Sequence, residues 1–222
     1  MRTWQEGDWE GAEAAFRKAI EMNPNYAEAR ASYSAFLAQM RRPDEARAQV
    51  ERALELDPFN PVCRVMNGHG LIFERRYAES IEVLEAALRI EPDNRVVYDN
   101  LASAYHLTGN YDAVLRMVRK FFPGDQELDE ALDRGYAEGG YRAAIVRWAD
   151  TLAARPGAAE LMSYFIACRY AWAGEKERTL DWLELAYETH NPNMPTLSSP
   201  DFDLVRDEPR FRDLCRRINL TH

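Results

Sequence analysis

No stretch of this 222-residue chain alternates apolar and polar residues with a period of two. Apolar residues fall instead into short helical runs that proline cuts at regular intervals. Pro24, Pro58 and Pro92 stand 34 residues apart. A proline disfavours α geometry in the residue before it, so Asn23-Pro24, Asp57-Pro58, Glu91-Pro92 and Arg155-Pro156 each end a helix. The pattern predicts antiparallel helix pairs at 9–21, 26–39, 43–55, 60–73, 77–89, 94–107, 111–121, 126–137, 141–154, 158–172 and 176–189. A repeat of this length is a helix-turn-helix unit stacked on copies of itself, which makes the expected fold all-α and solenoidal.

Other positions keep the same step. Gly7, Arg41, Arg75, Gly109, Gly139 and Gly174 mark the turn inside each pair, with steps of 34, 34, 34, 30 and 35, so about four residues are lost near Pro123 and Gly124. Two positions after most turns comes an aromatic: Trp9, Tyr77, Tyr111 or Tyr141. Small residues recur five positions after the turn, as at Ala12, Ala46, Ser80 and Ala144, and again at Ala19, Ala53, Ala87 and Ala186. They allow helix backbones to approach closely. The segments GDWEGAEAAFRKAIEMNPN, ERRYAESIEVLEAALRIEPDN and TGNYDAVLRMVRKFF carry the frame. In it the chain resembles the tetratricopeptide repeat family over residues 1 to about 190. The resemblance implies a right-handed superhelix. Arg30 stands where the family often has Trp, only Gly68 keeps the small residue typical of the first helix, and Phe121 and Thr151 replace alanine.

Composition narrows the function. A formal charge of −9 leaves no basic face for phosphate, which argues against nucleic acid as the partner. Cys63, Cys168 and Cys215 have no paired spacing; the two within the helical repeats, Cys63 and Cys168, fit buried thiols, and a reducing compartment, the cytoplasm, is expected. No run of 18 apolar residues and no signal-peptide pattern occurs.

The repeat frame places Met1 about nine positions into a first helix, which reads as a chain cut from something longer. After His190 the period stops. Asp207-Glu208-Pro209 opens a last helix whose Phe211, Leu214 and Leu220 form an apolar stripe. Residues 191–222 are expected to cap the solenoid of residues 1–190, with Phe202, Leu204, Val205, Phe211 and Leu214 covering Trp182, Leu183, Leu185 and Tyr187. The tail is similar to the closing segment of tetratricopeptide regions in multidomain bacterial regulators.

In the family's superhelix the first helices line the concave surface. The matching positions here begin with Ala31, Ser32 and Ala35, a bare wall. Candidate groove residues follow as Met66, His69 and Phe73, then Asn100 and His106, then Asp129, Glu130, Asp133 and Tyr136, and last Tyr164, Phe165 and Trp172. Such a wall suits a protein or peptide segment that is apolar and basic. The competing reading packs several of these residues against neighbouring helices or the tail. A clamp for a C-terminal carboxylate, known in one subgroup, is not expected. Only Asn100 matches it, and Ala31 and Val96 hold the places of its cations.

His69 and His106 fall in adjacent repeats, but no HxxxH or CxxC spacing supports a metal. Gly68-His69-Gly70 is too short for a phosphate loop, and the acids at 129, 130 and 133 read as a solvated face. The expectation is therefore a binding scaffold, with no enzyme activity, cofactor or metal. The alternative is a self-association module, a homodimer joined through the unpaired first helix.

Overall fold

The computed structural model describes residues 8–220, which form helices and turns with no strand. The helices are α1 (Trp9–Met22), α2 (Ala27–Gln39), α3 (Pro43–Leu56), α4 (Pro61–Phe73), α5 (Tyr77–Ile90), α6 (Arg95–Leu107), α7 (Tyr111–Phe121), α8 (Gln126–Ala153), α9 (Ala158–Ala173), α10 (Lys176–Glu188) and α11 (Pro209–Arg217). They fall within a residue or two of the pattern read from the sequence. The turn expected at Gly7 lies outside the described residues. The helices gather into two compact bodies, the first reaching Asn110 and taking in Ser198–Pro200, the second made of Tyr111–Leu197 and the residues from Asp201 onward.

In the first body, α2 packs beside α4 and α4 beside α6, while α3 and α5 form the other layer. The repeated proline fixes each junction. Asn23, Asp57 and Glu91 sit in extended geometry (φ −140°, −146° and −125°), as the following proline requires. Asn60 Oδ1 then caps α4 by accepting from Val62 and Cys63 N–H at 3.0 and 3.4 Å, and Asn94 Oδ1 caps α6 by accepting from Val97 N–H at 3.2 Å. A third repeated bond closes the junction. Arg30 Nε donates to the Pro24 carbonyl at 3.1 Å, Arg64 Nη2 to that of Pro58 at 2.7 Å, and the Tyr98 hydroxyl to that of Pro92. Arg30, the departure from the family's Trp, thus answers the carbonyl of the proline in the turn between α1 and α2.

The turn inside each pair needs one residue with positive φ. Arg41 (57°), Arg75 (60°), Gly109 (76°) and Gly174 (87°) supply it. The remaining turn corrects the sequence reading by one position: Gly140 takes φ 69°, while Gly139 is extended at −159°. Together they break α8 into two antiparallel halves. The lost residues are also located. α7 has 11 residues where α3 and α5 have 14, which accounts for three, and the Gly139–Gly140 turn is shorter than its counterparts.

The small residues are where backbones meet. Ala46, Ala53, Ala87 and Ser80 are buried, and Ser80 Oγ donates to the Gly68 carbonyl at 2.8 Å. Gly68 is not alone in its place, because Ser34 and Ala102, one repeat to either side, are buried as well. α1 leans Trp9 and Phe16 on a cluster of Tyr33, Phe36 and Leu37. Glu13 ties the helix down, accepting from Arg42 Nη1, Arg17 Nη2 and the Tyr33 hydroxyl, each at 2.7 Å. The Arg42 and Tyr33 bonds hold its carboxyl at about 2, well below the usual range.

The tail folds into the second body, apart from Ser198–Pro200. Phe202, Val205, Phe211 and Leu214 are buried and Leu204 is half-buried. Two 3₁₀ turns, Met194–Ser198 and Pro200–Phe202, bring the chain round to α11, which packs on α10. Arg210 fastens the two, its guanidinium reaching Glu184 and Asp181 at 2.7 Å and Glu177 at 3.0 Å. This bond network keeps the Glu184 carboxyl below its ordinary range.

Candidate functional site

The first helices of the first body place their candidate residues on one face. Ala31 and Ala35 of α2 are buried and leave the wall bare there. On α4, Met66, His69 and Phe73 follow at the three- and four-residue spacing of a single helix side, all half-buried. Met66 rests on the cluster of Ala27, Ala31, Ala53 and Cys63, and Phe73 on that of Tyr33 and Phe36. Burial, with the nearby Asp57 and Glu28 charges, raises the Cys63 thiol to about 11, so it packs as an inert apolar group. α6 adds Asp99, Asn100 and His106, each half-buried, beside a buried Ser103.

A polar bond joins α4 to α6. Asn100 Nδ2 donates to the Val96 carbonyl at 2.8 Å, which turns its Oδ1 toward His69 Nδ1 at 3.0 Å. With the amide so oriented, the tautomer that satisfies the pair carries its proton on Nδ1. The His69 ring also lies 4.8 Å from that of Phe73, centroid to centroid. The result is a fixed imidazole and amide between two apolar side chains, Met66 and Phe73.

In the second body the acidic candidates are answered from within. Arg119 pairs with Asp129 at 3.2 Å and Asp133 at 2.5 Å, and Arg134 pairs with Glu130 at 2.6 Å. Tyr136 beside them is 50% exposed. The aromatic candidates meet other fates. Phe165 is buried, with Phe121 stacked 4.6 Å away and Trp148 at 5.7 Å. Trp172 is buried too, its indole Nε1–H donating to Asp201 of the tail at 2.8 Å. Tyr164 is half-buried, meeting Phe202 edge-on at 5.5 Å and accepting from Thr196 Oγ1 at 2.5 Å. Packing against helices and tail thus takes up the far end of the wall read from the sequence.

One residue there escaped the sequence reading. Arg169, buried in an otherwise apolar run of α9, lays its guanidinium 3.7 Å from the Phe165 ring centre and 4.1 Å from that of Trp172. Its signal was a lone cation between two aromatics spaced to share a helix side with it. Among the described residues, no group of His, Cys, Asp and Glu converges as a metal site. No helix among them is long and apolar enough to cross a membrane.

No curated protein matches the chain in sequence. Two family models, each describing a tetratricopeptide repeat, match residues 3–64 and 68–94. Among solved structures the chain is similar to YrrB, a TPR protein with an unusual peptide-binding site, at 24% identity over 82% of this chain and 96% of that one, with a TM-score of 0.49. MamA matches at 16% identity over 85% of this chain and 92% of its own, with a TM-score of 0.46. The Naa15/Naa10 complex bound to HypK-THB matches at 16% identity over 97% of this chain and 35% of that one, with a TM-score of 0.50. The family matches, the proline-capped 34-residue junctions and the all-α stack agree, and residues 3–64 and 68–94 carry tetratricopeptide repeats.

Proposed function

We infer that this scaffold holds a protein or peptide segment against the α4–α6 face of its first body. The observation that supports the reading is the His69–Asn100 hydrogen bond, which fixes two polar groups between the apolar side chains of Met66 and Phe73. A ligand that places one large apolar residue on Met66 and Phe73, with a hydrogen-bonding group beside it, meets both kinds of contact. The segment is apolar and basic, in keeping with the chain's charge of −9. Its charge preference is modest, because Arg119 and Arg134 already answer the acids of the second body.

The test is an NMR titration of the full chain with two synthetic peptides, one mixing Leu and Phe with Lys and Arg, the other replacing the basic residues with Glu. The basic peptide should shift resonances of Met66, His69 and Asn100, and Met66→Arg should weaken it at least tenfold. Shifts confined to residues outside α4 and α6, or equal affinity for both peptides, would refute the reading.

A further inference from the structure

Along the edge of the first body where successive repeats join, large apolar side chains lie open. Met22 is 79% exposed, Phe59 75%, Val96 54%, Ile90 44% and Val62 37%. Their placement is periodic. Met22 and Ile90 occupy the same position two repeats apart, Val62 and Val96 the same position one repeat apart, and Phe59 lies on the middle junction. At about 10 Å per packed layer they form a strip about 20 Å long. Polar and charged residues border it, and monomeric proteins seldom leave such a strip uncovered.

We propose that this strip is a self-docking surface on which a second copy of the chain lies antiparallel, related by a two-fold axis at Phe59. A two-fold contact must be self-complementary, and the middle repeat supplies the most exposed aromatic ring at its centre. The same axis sets Met22 of one copy against Ile90 and Val96 of the other. The ends carry opposite groups. Glu21 and Glu28 flank Met22, while Arg89 and Arg95 flank Ile90 and Val96; none of these four has an ion-pair partner among the described residues, and Glu28 accepts from Asn60 Nδ2 at 3.3 Å. Glu91 and Asp93 share the arginine end, with Glu91 accepting from Asn94 Nδ2 at 2.7 Å. The charges therefore set the register, and the apolar area supplies the affinity. The exposed side chains offer several hundred Å² per copy, close to the roughly 800 Å² per partner of a standard interface. Val62 and Val96 lie one turn before Met66 and Asn100 on α4 and α6, so the strip adjoins the α4–α6 face, but the self-docking argument stands without the peptide reading.

Sedimentation of the full chain from micromolar to several hundred micromolar tests it. A reversible dimer is expected, with Phe59→Asp weakening it at least tenfold and Leu161→Asp, at an exposed apolar residue of the second body, leaving it unchanged. Glu28→Arg should also weaken it, and adding Arg95→Glu should restore it, because the crossed pair is rebuilt with its signs exchanged. A monomer at every concentration, a dimer indifferent to Phe59→Asp, or a double variant no tighter than Glu28→Arg would each overturn the proposal. So would a chain that stays monomeric while a heterologous peptide binds at Phe59, since the strip would then belong to another partner.

Discussion

Adding one methyl group to Gly135 tests how tightly the two halves of α8 meet. A β-carbon built there would lie 2.5 Å from the carbonyl oxygen of Ala143 and 2.6 Å from the α-carbon of Ala144. Both are backbone atoms, so no side chain can swing aside. Reaching an ordinary contact means moving the halves apart by nearly 1 Å, and overpacking of this kind costs about 1–3 kcal/mol or more. Helix propensity pulls the other way, since alanine gains about 1 kcal/mol over glycine inside a helix. The clash should win, and Gly135→Ala is expected to lose about 2 kcal/mol. At roughly 2–4 °C per kcal/mol for a chain of this size, Tm falls by about 4–8 °C. Gly70 is the control. It also sits inside a helix, α4, but a β-carbon there meets nothing within 4 Å. Gly70→Ala should therefore show the propensity term alone and raise Tm by about 2–4 °C. Thermal melts by circular dichroism, backed by urea titrations with equal slopes, read both changes. A Gly135→Ala protein that melts at or above wild type would refute the close approach, and equal shifts for the two variants would refute the opposition of terms.

Arg41 is exposed at φ 57°, so Arg41→Gly should raise stability by about 1 kcal/mol in urea titration, and a loss would show that the side chain holds the turn. Glu13→Gln should cost about 1–2 kcal/mol at pH 7 by removing charge-assisted bonds. Because the folded carboxyl is depressed to about 2 from 4.5, that advantage is whole above pH 4.5 and vanishes as pH falls toward 2. Urea melts of both proteins from pH 7 to 2 check it, and a gap that widens on acidification would contradict the network. Removing residues 201–222 strips buried side chains that include Phe202, Val205, Phe211, Leu214 and Ile218, at about 1.5–3 kcal/mol each. Aggregation and a lowered melt are expected, whereas an unchanged melt with a monodisperse product would show that α10 needs no cover.

What could be read from the sequence was local. Proline constrains its neighbour wherever it occurs, so Pro24, Pro58 and Pro92 marked the junctions of the first body without knowledge of what packs nearby. The Gly139–Gly140 turn was found but set one residue early, because two adjacent glycines both permit positive φ and only the fold decides which takes it. Long-range pairing was invisible. Nothing in α7 announces that Arg119 reaches across to Asp129 and Asp133, so the acids read as an open wall. Phe165 and Trp172 looked like ligand contacts by position, yet Trp148 and Asp201 reach them from other elements. Met66, His69 and Phe73 needed only helical spacing to be grouped, but the Asn100 amide that orients His69 belongs to the next repeat.

The side chains of Arg30, Arg64 and Tyr98 each bind a carbonyl only six residues upstream. Both ends of each bond are therefore inherited together. When such a repeat is copied within a gene, the new junction arrives already closed, with no distant residue having to change alongside it. The same bond tolerates a guanidinium or a phenol, so the position drifts in sequence while its geometry stays fixed. A solenoid assembled this way lengthens by duplication at little cost to the repeats already present, and its identity is carried more faithfully by the reach of a side chain than by its name.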